Sequence, residues 1–167
     1  MLAPTPHTGK IRYGTEIFPG PVSAFNRLFF RHGLEVRDRP LELDFKRYHQ
    51  LEFEKRLIWV VARWTKSSIP LGYSCHFWYR DLHFNERVGS DDLWFVDHRV
   101  RALGIGFTLK LIGHDELRKH GVVKTSDNIR ATFRHNKLMN DLGFEKWGNR
   151  WQTRLENRST MLTYTKV

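Results

Sequence analysis

Residues 96–112 read VDHRVRALGIGFTLKLI, and the reading of this stretch decides the fold. Gly104 and Gly106 stand one residue apart, directly after a strand-like apolar run and directly before a helix-like one. Glycine is the poorest helix former after proline, so two of them at the mouth of a helix need a reason. One reason is steric: a tight strand-to-helix turn and a helix lying close on its sheet. The other is chemical. The first N–H groups of a helix lack intrahelical partners and lie at the positive end of its dipole, so a glycine-lined mouth admits an anion to bare backbone. Arg101, three residues before Gly104, adds a cation there. The pattern is not a dinucleotide fingerprint, because Leu109 occupies the place of a third glycine, and no Gly-Lys-Ser/Thr follows to make a P-loop.

Upstream of the pair, KIRYGTEI (10–17) reads as a strand and PGPVSAFNRLFFRHG (19–33) as a helix opened by proline and closed by glycine. LELDFKRYHQLEFEKR (41–56) has apolar residues at 41, 45, 48 and 51, a helical spacing. RLIWVVARW, LGYSCHFWY and DDLWFVDH are rich in β-branched and aromatic residues and are separated by the turn-like TKSSIP and NERVGS, which predicts a three-strand antiparallel meander. Downstream come a helix from about 104 to 119, a short strand VVKTS, a helix from about 129 to 141, and a hairpin of FEKW and RWQTRL about Gly148 and Asn149. Strand, glycine helix and strand make a β-α-β crossover, so the two strands flanking that helix run parallel in an otherwise antiparallel sheet. The expectation is one α+β domain over residues 1–167, with a core over 10–156 and a flexible tail over 157–167. Its central sheet is mixed and mostly antiparallel, with about six or seven strands and helices on both faces.

Cys75 is the one thiol, which closes no bridge within the chain and points to a reducing compartment, the cytoplasm. The segment MLAPTPHT has no apolar h-region, and the longest apolar run, LIWVVA, is too short to span a bilayer, so no membrane partner is expected. Twenty-eight basic residues against 18 acidic ones give a net charge of +10, unevenly spread. Residues 55–80 carry Lys55, Arg56, Arg63, Lys66 and Arg80 and no acid, whereas 81–100 is net acidic. Residues 101–150 carry ten basic residues against five acids, an excess that suits a polyanion, and the acidic stretch 81–100 suits an amine. Trp59, Trp64, Phe77, Trp78, Tyr79, Trp94 and Phe95 cluster on the meander; one face of it is core and the other can line a pocket or a partner surface.

Arg101-Ala102-Leu103-Gly104-Ile105-Gly106, at the usual distance after Val96, resembles the signature of the GCN5-related N-acetyltransferases, the GNAT superfamily: Arg or Gln, two residues, Gly, one residue, then Gly or Ala. The resemblance covers about residues 10–156 in the order of elements and includes Gly143-Phe144 at the sixth strand. It implies an acetyl-CoA or other acyl-CoA cofactor, whose pyrophosphate lies on the N–H groups of Ala102, Leu103, Gly104, Ile105, Gly106 and Phe107 beside Arg101, with Asn128 as a further contact. It also implies that the fourth and fifth strands splay, that the pantetheine arm pairs with the backbone of Phe95 and Val96, and that an N–H near Val96 polarises the thioester carbonyl.

Acyl transfer needs a base for the ammonium and an acid for the departing thiolate. In many members of the family a Tyr on the fourth helix, four residues before the Gly of Gly-Phe, serves the thiolate; here that place holds Met139. Counted instead from Asn128 and Ala131, the Tyr place falls on His135. The two positions differ by about one helical turn and share one face, and both registers stay open. For the base, Asp91 or Asp92 at the start of the fourth strand is the candidate, with Glu86 close by. His76, His83 and His98 have no partner at metal-ligand spacing, so no metal is expected. The acceptor class is an amine, on a small molecule or a protein. Aminoacyl-tRNA, as for small toxin-like relatives, is the alternative that +10 with interleaved aromatics suits. A CoA-binding or interaction module without activity is the third, argued by Met139. The chain is expected as a monomer or homodimer.

Overall fold

The apolar meander becomes the middle of a sheet covered on both faces, which is why its strands read as near-continuous apolar runs. The computed structural model describes residues 10–20, 22–127, 137, 139–147 and 150–155. Asn128, His135, most of the helix expected over 129–141, Gly148 with Asn149, and the tail 157–167 lie outside the described residues. The strands are β1 (Ile11–Thr15), β2 (Leu57–Trp64), β3 (Pro70–Arg80), β4 (Arg87–Val96), β5 (Lys124–Asp127), β6 (Glu145–Trp147) and β7 (Arg150–Arg154). The helices are α1 (Val22–Arg37), α2 (Phe45–Phe53) and α3 (Ile105–Lys119), with a 3₁₀ helix over His98–Leu103. The sheet runs β1-β2-β3-β4-β5-β7-β6. β1 to β4 pair antiparallel, β4 and β5 pair parallel across α3, and β7 lies antiparallel between β5 and β6.

Three boundaries differ most from the sequence expectation, the first being α2, which spans Phe45–Phe53 instead of 41–56. α1 runs past Gly33 to Arg37, held by a stripe of Phe25, Leu28, Phe29 and His32 on the core. β4 begins at Arg87, because RVGS pairs with residues 77–80 of β3 instead of turning. The turn sits earlier, where the Asp81 carboxylate accepts from the N–H groups of His83 and Phe84.

α1 and α2 cover one face of the sheet over Phe18, Phe25, Phe29, Trp59, Val61, Tyr73 and Phe95. α3 covers the other over Ile58, Val60, Ala62, Val96, Ile105, Leu109 and Leu117. β4 carries a bulge that breaks this alternation. Cys75 of β3 stands opposite Leu93 and His76 opposite Asp91, so Asp92 is an extra residue. Asp91 reaches the α3 side, whereas Asp92 meets Tyr48 of α2. β4 pairs with β5 only from Val88 to Asp91, and its last five residues, 92–96, have no strand partner on that side among the described residues.

Candidate active site

The glycine pair divides the two purposes raised by the sequence. A Cβ on Gly106 would lie 2.8 Å from Trp94 Cζ2, so this glycine lets α3 lie on the sheet, where Trp94 Nε1 donates to the Gly106 carbonyl at 3.2 Å. Gly104 caps α3 with φ +70° and, among the described residues, has nothing within 4 Å of an added Cβ. Among the described residues the helix mouth is therefore open over bare backbone. Ala102 and Leu103 are exposed beside it, Ile105 is buried, and Phe107 packs half-buried on Met139, Leu142 and Phe144.

Arg101, expected as a free cation at this mouth, is tied back into the protein. Its Nε donates to the Val96 carbonyl at 2.9 Å, its other arm meets Glu35 at 2.5 Å, and its guanidinium lies 5.4 Å from the Phe95 ring centroid. It braces the end of β4 against α1. Phe95 and Val96 themselves are buried, with one backbone edge paired to Tyr73 and Gly72.

Asp92 stands on the floor of a cavity of about 280 Å³ lined by Leu43, Tyr48, Leu51 and Phe77, with Glu42, Asp44 and Arg47 also on its wall. Tyr48 Oη donates to Asp92 Oδ2. Burial and the neighbouring Asp92 charge push the Tyr48 hydroxyl far above its ordinary value, so it stays a donor at any working pH. The Asp44 side chain accepts from the Arg47 N–H, which fixes the start of α2 and with it the position of Tyr48.

Asp91, expected as a candidate base at a strand start, is instead in mid-strand and sealed beneath α3. Its carboxylate accepts from Lys110 Nζ at 2.7 Å and meets His76 Nδ1 at 2.6 Å, His114 Nε2 at 3.0 Å and Thr125 Oγ1 at 3.2 Å. Lys110 also bridges to Asp127, the last paired residue of β5. Burial alone would push the Asp91 carboxyl up; Lys110, His76 and His114 together hold it well below the usual carboxylate range. A carboxylate so saturated is a poor proton acceptor, which removes Asp91 from the base role and leaves Asp92. Desolvation dominates at Asp127 and raises it, and at His114 it favours the neutral ring.

His76, Asp91 and His114 also bring three ligand-type atoms within 4.8 Å of one another, a grouping that sequence spacing does not reveal. The Lys110 ammonium already sits on the Asp91 oxygen that faces His114, so the cluster carries its own cation and does not fit a metal ion. The signal for it lay in α3: Lys110 and His114 stand four apart in a helix whose buried stripe is Ile105, Leu109, Gly113 and Leu117. Tyr48 had no comparable signal. Met139 is fully buried with Leu142 and Phe144, away from any role in proton transfer; Asn128 and His135 are outside the described residues.

A bulged fourth strand parted from its parallel neighbour below a glycine-opened helix is the architecture of the GNAT fold. No protein-family model and no curated protein sequence matches this chain. Solved structures match it in fold. A GNAT-family acetyltransferase from Staphylococcus aureus superposes with a TM-score of 0.68 at 13% identity, covering 88% of this chain and 100% of that one. A GNAT-family N-acetyltransferase from Escherichia coli in complex with CoA gives 0.64 at 19% identity, with 90% and 84% covered. Glucosamine-6-phosphate N-acetyltransferase from Arabidopsis thaliana gives 0.63 at 11% identity, with 83% and 93% covered. The chain has the GNAT fold, as its signature residues led one to expect.

Proposed function

We propose that the protein is an acyl-CoA-dependent N-acyltransferase of the GNAT superfamily, moving an acetyl group to a primary amine by direct attack in a ternary complex. The observation that carries the reading is the edge of β4: residues 92–96 continue past the last rung with β5, have no strand partner there among the described residues, and end one two-turn 3₁₀ helix from the mouth at Gly104. Acetyl-CoA fits that groove in kind. The cradle over Gly104 would be narrowed by any side chain, and the N–H groups of residues 102–107 suit a diphosphate. The edge of Phe95 and Val96 without a strand partner among the described residues suits a pantetheine arm, with the Val96 carbonyl already held by Arg101 Nε, and Asn128 is retained as a further contact. When bound, the cofactor supplies the acyl group as a thioester.

The cavity over Asp92 is the acceptor site in this reading. Its volume lies at the small end for ligand pockets, and Glu42, Asp44 and Asp92 favour an ammonium. Asp92 takes the proton that the ammonium must lose, held in place by the Tyr48 hydroxyl. His135 remains the proposed donor to the thiolate, since Met139 carries no proton. Calorimetry with acetyl-CoA and a thiol-release assay over a panel of amines test the reading. Asp92→Asn should retain cofactor affinity and lose about 100-fold in transfer; a wild-type protein that binds no acetyl-CoA overturns the assignment. The burial of Met139 favours a second reading, a CoA-binding module, and cofactor binding without acylation of any amine would select it.

A further inference from the structure

The arginines around Asp97 are not used by the reaction. Arg27 and Arg31 lie one turn apart on α1 and reach across to the end of β4, where Arg99 joins them from the 3₁₀ helix. Arg99 clasps the Asp97 carboxylate with Nε at 3.1 Å and Nη2 at 2.8 Å, and Arg27 and Arg31 add contacts at 3.1 and 3.3 Å. The Asp97 side chain is 2% exposed, whereas those of Arg27, Arg31 and Arg99 are 48%, 34% and 47% exposed. Burial opposes ionisation of Asp97, yet its hydrogen bonds and the surrounding guanidiniums bring its pKa to about 2. Three cations thus share one sealed anion, and a surplus of two positive charges faces solvent through N–H groups that Asp97 leaves unused.

We infer that this arginine fan binds a phosphomonoester, the 3′-phosphate of coenzyme A, as a second anion site beside the helix mouth; the inference rests on the cofactor reading above. The fan and the mouth are the two ends of the same short segment, Asp97 to Gly104, roughly 14 Å of 3₁₀ rise apart, a span that long arginine side chains shorten. The mouth offers backbone N–H groups, which suit a diphosphate. The fan offers forked guanidiniums held in advance by a buried carboxylate, which suit a terminal phosphate bearing close to two negative charges. Surplus charge and ligand charge match, and the arginines need no reorganisation to meet it.

The test compares coenzyme A with 3′-dephospho-coenzyme A by calorimetry at two salt concentrations. Wild-type protein should prefer coenzyme A by at least about 10-fold, with the preference shrinking as salt rises. Arg27→Ala with Arg31→Ala should bring the ratio to about one while leaving affinity for the dephospho form within about two-fold. Arg31→Lys, which keeps the charge but not the fork, should fall between. Equal wild-type affinity for the two ligands overturns the inference without touching the cofactor reading, and needs no variant to fold. A double variant that weakens both ligands equally overturns it too, because the arginines then only hold the loop. A wild type that binds neither ligand removes the cofactor reading itself.

Discussion

Replacing Lys110 by methionine isolates the contribution of the buried ionic cluster. The Lys110, Asp91 and Asp127 side chains are 1%, 2% and 5% exposed or less, so removing the ammonium strands two carboxylates in the core. Methionine keeps the length of the stem, so packing changes little. Breaking a buried pair in this way costs about 3–5 kcal/mol, a large share of the 5–15 kcal/mol typical of a domain. For a chain of this size that corresponds to a fall in Tm of roughly 6–20 °C. Part of the loss is relieved by acid. Asp127 is already raised by burial, and without Lys110 it becomes neutral more readily, so the deficit should be largest at pH 7 and smaller towards pH 5. Urea unfolding followed by tryptophan fluorescence at both pH values measures it, and Lys110→Met combined with Asp127→Leu should recover more than half the loss. A deficit below about 1 kcal/mol at pH 7, or one that does not change with pH, would refute a dry, mutually neutralising cluster.

Three further outcomes follow from the same geometry. His32 is buried against Phe95 with its Nδ1 2.7 Å from Tyr73 Oη, and burial lowers its pKa from 6.5 to about 4. A depressed histidine contributes stability that is full above 6.5 and is lost as pH falls towards 4, roughly 3 kcal/mol over that window, and His32→Leu should flatten this slope in a series of urea midpoints. Asp91 acts in the same direction lower down: its stabilisation is present above 3.8 and disappears only in stronger acid, so Asp91→Asn should lose stability at pH 7. Gly106→Val should cost about 1–3 kcal/mol through the Trp94 clash, whereas Gly104→Ala meets no atom of the described residues and carries the strain of φ +70°, about 1–2 kcal/mol; thermal melts that show Gly104→Ala as the more damaging change would reverse the roles assigned to the two glycines.

The fold was legible where periodicity and glycine chemistry agree. The meander, the glycine helix and the parallel pair flanking it are local or nearly local patterns, and each reappears in the sheet order. What escaped is long-range. Arg27 and Arg31 look like ordinary surface arginines until α1 is laid against Asp97, 66 or more residues away. Arg63, counted in a basic run, is buried and paired to Glu16 by two contacts of 2.6 and 2.7 Å, so local charge sums overstate what a partner meets. Asp91 and Asp92 are neighbours in sequence with the same chemistry, and only the pairing of β4 with β3 separates their environments.

That separation has a further meaning for how the chain can change. Upstream of Asp92 the odd-numbered residues Gly89 and Asp91 look towards α3; downstream the even-numbered Trp94 and Val96 do. Asp92 is the residue that resets the count. Deleting it would restore strict alternation with every other side chain on its present face, Gly89, Asp91, Trp94 and Val96 towards α3 and Leu93 and Phe95 towards α1 and α2. Substituting it leaves the same alternation, and the contact given up is the one from Tyr48 Oη. The strand thus takes a new functional group at its one uncounted position without moving any neighbour to the other face. Acidity, reach and hydrogen bonding at the cavity floor can vary by point substitution alone, with the scaffold left as it is.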